Sequence, residues 1–145
     1  MTGSTIHASA VLIGARAMLI RGPAGSGKSR LVLGLLDAGV AGLLPLARLV
    51  TDDRACVEAV NGQLLVRPPE QLKGLIEVRG VGIRRLPFEP LAVVGWVVDL
   101  AALDADRLPQ PEAETATIAG VPLARLAVAA GIEPLPLVLA ALRTN

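Results

Sequence analysis

Eight consecutive residues, Gly22-Pro23-Ala24-Gly25-Ser26-Gly27-Lys28-Ser29, constrain this chain more than any other feature, because they spell G-x-x-x-x-G-K-[ST]. Such a turn works only when a strand enters it and a helix leaves it, so that successive backbone N–H groups face one point. Both flanks comply. Residues 17–21 are a short apolar run that reads as a strand. From Lys28 to about Ala38, Leu31, Val32, Leu35 and Leu36 read as a largely buried helix, which Gly39 is expected to end in the left-handed conformation. The glycines permit the inward turn, Lys28 suits the β/γ oxygens of a polyphosphate, and the Ser29 hydroxyl suits Mg²⁺. Gly22, Pro23, Ala24, Gly25, Ser26, Gly27, Lys28 and Ser29 are therefore expected to bind a nucleotide. The chain has twelve arginines and two lysines, yet a lysine stands where a compact ammonium is needed.

Further strands are expected at 8–13, 48–51, 75–78, 83–86 and 91–100, the last a Val-rich run that reads as fully buried. Asn61-Gly62 between 56–60 and 63–66 is a hairpin signal, since both central positions of a type I′ turn need positive φ. Residues 104–114, with Pro109 and Pro111, read as a surface crossing. Residues 122–131 suit either a strand or a helix, and 134–142 a terminal helix with proline in its first turn. The pattern predicts an α/β domain with a mixed, mostly antiparallel sheet around one buried helix.

At 145 residues the chain suits one domain, 1–145. Its 52% apolar and 19% charged residues exclude a disordered chain or a coiled coil. Cys56 is the sole cysteine, which excludes an intramolecular disulfide framework. A net charge of +1 and only two aromatics, Phe88 and Trp96, argue against nucleic acid as a partner. The absence of a long apolar run or a signal-like start gives the expectation of a soluble, cytoplasmic protein without membrane contact.

Thr51-Asp52-Asp53-Arg54 ends an apolar strand in two carboxylates. One carboxylate there can hold Mg²⁺, directly or through water, and a second can act as general base towards a hydroxyl. A plain turn is the competing explanation. His7, the only histidine, is brought towards the phosphate end if strands 8–13 and 17–21 pair antiparallel. Glu77-Val78-Arg79-Gly80-Val81-Gly82-Ile83 joins a carboxylate to two permissive glycines, as a loop closing over metal and phosphates requires; an ordinary surface hairpin explains it equally.

Taken in order, His7, the residues 22–29, Thr51-Asp52-Asp53-Arg54 and Ile76-Glu77-Val78-Arg79-Gly80-Val81-Gly82-Ile83 resemble the catalytic domain of the bacterial HPr kinase/phosphorylase family, in its short form without the N-terminal domain of longer members. The resemblance runs from His7 to Ile83 and more weakly to Arg125. It implies a P-loop kinase fold of the HPr kinase and phosphoenolpyruvate carboxykinase type, and an ATP- and Mg²⁺-dependent serine kinase acting on the phosphocarrier protein HPr or a paralogue. A reverse phosphorolysis that consumes phosphate and yields pyrophosphate, a role in regulating a phosphotransferase system, and a homo-oligomer, a hexamer, are also implied. Lys28 would hold phosphates, Ser29, Asp52 and Glu77 the metal, and Asp53 the serine proton, with His7 in support. Arg107, in Asp106-Arg107-Leu108, would stabilise the transferring group. The chain departs from the family at Arg30, where glutamate is usual, and at 121–125, where a longer Pro- and Arg-rich segment is reduced. A nucleotide-binding regulatory module without transfer, and a small-molecule kinase, are the alternative functions.

Overall fold

The computed structural model describes residues 3–144. Eleven strands and two helices follow in the order β1 (Ser4–Ile6), β2 (Ala8–Ile13), β3 (Arg16–Arg21), α1 (Lys28–Val40), β4 (Ala47–Thr51), β5 (Ala55–Val60), β6 (Gln63–Arg67), β7 (Leu75–Val78), β8 (Gly82–Arg85), β9 (Ala92–Leu100), β10 (Thr115–Ile118), β11 (Val121–Val128) and α2 (Pro134–Arg143). The main sheet runs β1-β5-β6-β9-β3-β2-β4, with β11 also on β9 and β10 on β11; β7 and β8 form a separate two-stranded sheet. Only the β3–β9 and β11–β9 pairs are parallel. The expected mixed, mostly antiparallel sheet is what the chain forms, and the undecided segment 122–131 is strand β11 as far as Val128 and turn beyond it.

Alternation along the strands sends side chains to two cores. On one face, Leu31, Val32, Leu35 and Ala38 of α1 pack with Val11, Ile20, Leu49, Val98, Val128 and, from α2, Val138. On the other, Ala8, Leu19, Val50, Val57, Leu64, Val97 and Leu123 close together, so the sheet curls over itself. Helix α1 is caught between sheet and α2. A Cβ on Gly34 would stand 2.9 Å from Leu135 Cδ2 and one on Gly39 2.8 Å from Ala47 Cβ, so both glycines serve close approach.

Two local expectations change. Gly39 lies inside α1 and does not end it; the left-handed residue is Gly42 (φ 79°). There Leu43 N–H bonds to Ala38 O at 2.9 Å and Gly42 N–H to Gly39 O at 3.1 Å, a Schellman ending. Strands β1 and β10, which the apolar pattern did not mark, are short and draw their order from pairing with β5 and β11. The Asn61-Gly62 hairpin forms as expected, with φ of 51° and 78° at its two turn residues.

Candidate active site

Three strands deliver their ends to the mouth of the phosphate turn. Antiparallel pairing of β2 with β3 sets Ala8 opposite Arg21, which brings His7 beside Gly22; β4 pairs with β2 on the other side and brings Asp52 and Asp53 to the same end. Gly25 (φ 81°) and Gly27 (φ 100°) adopt the left-handed conformation that the inward turn requires. A Cβ on Gly22 would come within 2.5 Å of Ser26 Oγ, so the turn closes only with glycine there.

Lys28 is 6% exposed, and its Nζ donates to Gly22 O at 2.8 Å and Pro23 O at 3.2 Å. Both acceptors belong to the turn itself, so a buried ammonium faces the space the turn encloses. Ser26 Oγ is buried there with no hydrogen-bond partner among the described residues. A buried cation and an orphaned hydroxyl in a cradle of backbone amides fit a polyphosphate.

Asp52 ties the elements together. It is 6% exposed and accepts from Ser9 Oγ (2.8 Å to Oδ1), from Ser29 Oγ (2.9 Å to each oxygen) and from the Glu77 N–H (3.3 Å to Oδ2). The last bond fixes the backbone of β7, while the Glu77 side chain remains exposed. Ser29 and Asp52 thus meet through their side chains, and Glu77 joins them through its backbone N–H. Among the described residues no group of three or more His, Cys, Asp or Glu side chains is placed to hold a metal. The sparse donor set suits Mg²⁺, which keeps several waters and takes one or two carboxylates beside substrate phosphates.

Asp53 occupies left-handed backbone space (φ 69°), a conformation that costs an L-residue about 1–2 kcal/mol. Its N–H donates to Ser9 Oγ at 3.0 Å, and its Oδ1 lies 2.6 Å from His7 Nε2. The strained turn swings the carboxylate into solvent, with side chains 38% (His7) and 59% (Asp53) exposed. Such strain recurs where a group is aimed at a substrate. Oδ1 faces the imidazole, and Oδ2 makes no hydrogen bond among the described residues.

Arg107 is not brought to this cluster. It sits in the exposed loop after β9, where its backbone N–H bonds to Asp106 Oδ1 at 2.7 Å. Sequence reasoning also missed Ser9, wholly buried and bonded to both aspartates; its signal was a lone hydroxyl in the otherwise apolar strand Ala8–Ile13. A second missed feature is the ion cluster beside the turn. Arg21 forks onto Asp99 (2.7 and 2.8 Å), and Arg125 bridges Asp99 and Asp104. Burial works to raise the Asp99 pKa, but hydrogen bonds and charges from Arg21 and Arg125 outweigh it and hold the carboxyl below its usual range. The cluster staples the parallel strands β3, β9 and β11 just ahead of Gly22.

The pattern of the family described as "HPr Serine kinase C-terminal domain" matches residues 2–86. The HPr kinase/phosphorylase of Clostridium beijerinckii is 38% identical over 78 residues, covering 54% of this chain and 24% of that protein. That of Clostridium perfringens is 44% identical over 66 residues, covering 46% and 19%. The chain therefore spans a quarter or less of the length of these relatives. A solved structure of the "Hpr(Ser) kinase/phosphatase" from Coxiella burnetii superposes over 97% of this chain and 93% of that one, with a TM-score of 0.74 and 27% identity. The described residues contain no helix long and apolar enough to cross a membrane.

Proposed function

We propose, from the premise that this chain belongs to the HPr serine kinase C-terminal domain family, that it is an ATP- and Mg²⁺-dependent kinase acting on a serine of the phosphocarrier protein HPr or a paralogue. The observation that carries this reading is the pairing of Asp53 with His7 at 2.6 Å, one residue from an aspartate bonded to the phosphate-turn serine. A base and a phosphate cradle are thereby fixed at one strand end, open to a protein loop.

The turn amides and Lys28 hold the β- and γ-phosphates. Mg²⁺, when bound by Ser29, Asp52 and Glu77, neutralises phosphate charge. The serine Oγ forms a bond to the γ-phosphorus while the bond to the ADP oxygen breaks, and Asp53 Oδ2 takes the hydroxyl proton. His7, on Oδ1, fixes the direction of that carboxylate. In reverse, an oxygen of inorganic phosphate attacks phosphoserine, Asp53 returns the proton to the serine oxygen, and pyrophosphate leaves. Arg107 enters the same proposal as a cation for the transferring group, delivered by movement of its exposed loop. The chain works as one catalytic domain and assembles with copies of itself.

The test is mass spectrometry of HPr after incubation with the protein and Mg-ATP. Addition of one phosphate to a serine by the native protein, and none by Asp53→Ala, is expected. HPr left unmodified by the native protein, while the protein binds ATP, would reduce it to a nucleotide-binding module; wild-type transfer by Asp53→Ala would refute the base assignment.

A further inference from the structure

The end of the main sheet remote from the phosphate turn holds a cavity of about 350 Å³, and strand pairing explains why it is there. Strand β9 offers one edge to two strands: β6 takes Ala92 and Val93, antiparallel, and β11 takes Trp96 to Leu100, parallel. Between them the edge at Val94 and Gly95 is unclaimed. Residues 119 and 120, both at positive φ, form a two-residue hairpin in which Val121 turns its backbone groups to β10. The next N–H, the one directed towards β9, would belong to residue 122, which is proline and has none. Strand β11 therefore parts from β9 there, and the cavity lies in the fork between β6 and β11.

Gly95 has no partner in register on either side, because against β3 the ladder steps from Ala17–Val94 to Met18–Trp96, a bulge. A Cβ on Gly95 would stand 2.8 Å from Arg16 Cβ and 3.3 Å from its Cγ, so glycine lets the arginine stem lie across the strand. Arg16 lines the cavity, is exposed, and has no hydrogen-bond or ion-pair partner among the described residues. No carboxylate lines the cavity to answer that charge. Leu64, Trp96, Pro122 and Leu123 supply apolar surface.

We infer that this fork binds a small organic carboxylate with an apolar body, its carboxylate on the Arg16 guanidinium and its body against Trp96 and the aliphatic walls. The planar guanidinium matches a carboxylate with two parallel hydrogen bonds. A compact inorganic anion would leave the walls unused, and a neutral apolar molecule would leave the cation unanswered. The volume lies at the small end of the range for small-molecule sites. Arg16 and Arg21 are the two ends of β3, about 17 Å apart at roughly 3.3 Å per residue, so a ligand in the fork touches none of the groups at the phosphate turn.

Trp96 is the sole tryptophan, so its emission reports on this cavity. Fluorescence titration of the native protein, Arg16→Gln and Arg16→Lys with benzoate, benzamide and orthophosphate is the test, with the melting temperature of each variant as the check on folding. Benzoate is expected to change the emission saturably, benzamide, its neutral counterpart, to bind about tenfold more weakly, and orthophosphate to bind more weakly than benzoate. Arg16→Gln keeps a stem over Gly95 and removes the charge, so its benzoate affinity should fall about tenfold, to the level of benzamide, with partial recovery in Arg16→Lys. Saturating Mg-ATP should leave the benzoate midpoint unchanged. The site would be overturned by a native protein that shows no saturable response to benzoate, binds benzamide or orthophosphate as tightly, or binds benzoate no better than Arg16→Gln does. Competition between benzoate and Mg-ATP would place the probe at the phosphate turn and overturn it equally.

Discussion

Replacing Ser9 by alanine tests whether the two aspartates are held by one buried hydroxyl. Ser9 Oγ donates to Asp52 Oδ1 at 2.8 Å and accepts the Asp53 N–H at 3.0 Å, at a residue with no exposed surface. Loss of a hydrogen bond to a charged group costs about 1.5–3 kcal/mol, and a buried N–H left without an acceptor a further 1–3 kcal/mol or so. Asp52 keeps its Ser29 and Glu77 donors, which places the sum near the lower end, at about 3 kcal/mol. For a chain of this length that is a fall of roughly 6–12 °C in melting temperature. The same bond holds Asp53 in left-handed space, so kcat for transfer should fall far more than affinity for ATP. Thermal unfolding followed by circular dichroism, with single-turnover transfer to HPr, reads both effects. A variant melting within 2 °C of the native protein, or transferring phosphate at the native rate, would show that the aspartates are placed by the β4 turn alone.

Glycine adopts the left-handed backbone of Asp53 freely and alanine at a cost, so Asp53→Gly should be about 1 kcal/mol more stable than Asp53→Ala while both lose transfer; equal denaturation midpoints would remove the strain. The Asp99 carboxyl titrates below its unfolded value near 3.9, so its stabilisation is fully present above about pH 4 and disappears as pH falls through the lower folded value. Asp99→Asn should therefore cost about 2 kcal/mol at pH 7, discounted from a fully buried pair because Arg21 keeps access to water, and less at pH 3. Urea titrations giving the same deficit at both values would refute the ionic account.

The parts legible in the sequence are those whose cause is local. The phosphate turn, the helix it opens and the Asn61-Gly62 hairpin each follow from residues within a few positions of one another, because glycine spacing and positive φ act over one turn. Asp52, Asp53 and His7 were legible as candidates, and antiparallel pairing of neighbouring strands was enough to bring them together. What could not be seen depends on distant partners. Ser9 looks like a tolerated small residue until Asp52 is set beside it, 43 positions away. Gly39 looks like a helix stop until Ala47 is packed against it, and the order of Arg21, Asp99 and Arg125 arises only from the parallel pairing of β3, β9 and β11. The cavity in the fork between β6 and β11 has the same origin.

Strand β9 bonds to β3 along one edge and to β6 and then β11 along the other, and it begins at Ala92, past the last residue of the matched family pattern. Every chemical group of the proposed mechanism except Arg107 has therefore been made by the ribosome before the strand that braces their scaffold exists. Arg21 must wait for a partner 78 positions downstream, which is the kind of long closure that slows folding. A nascent chain cut short before β9 would carry the phosphate-binding letters with no frame to bend them into a cradle.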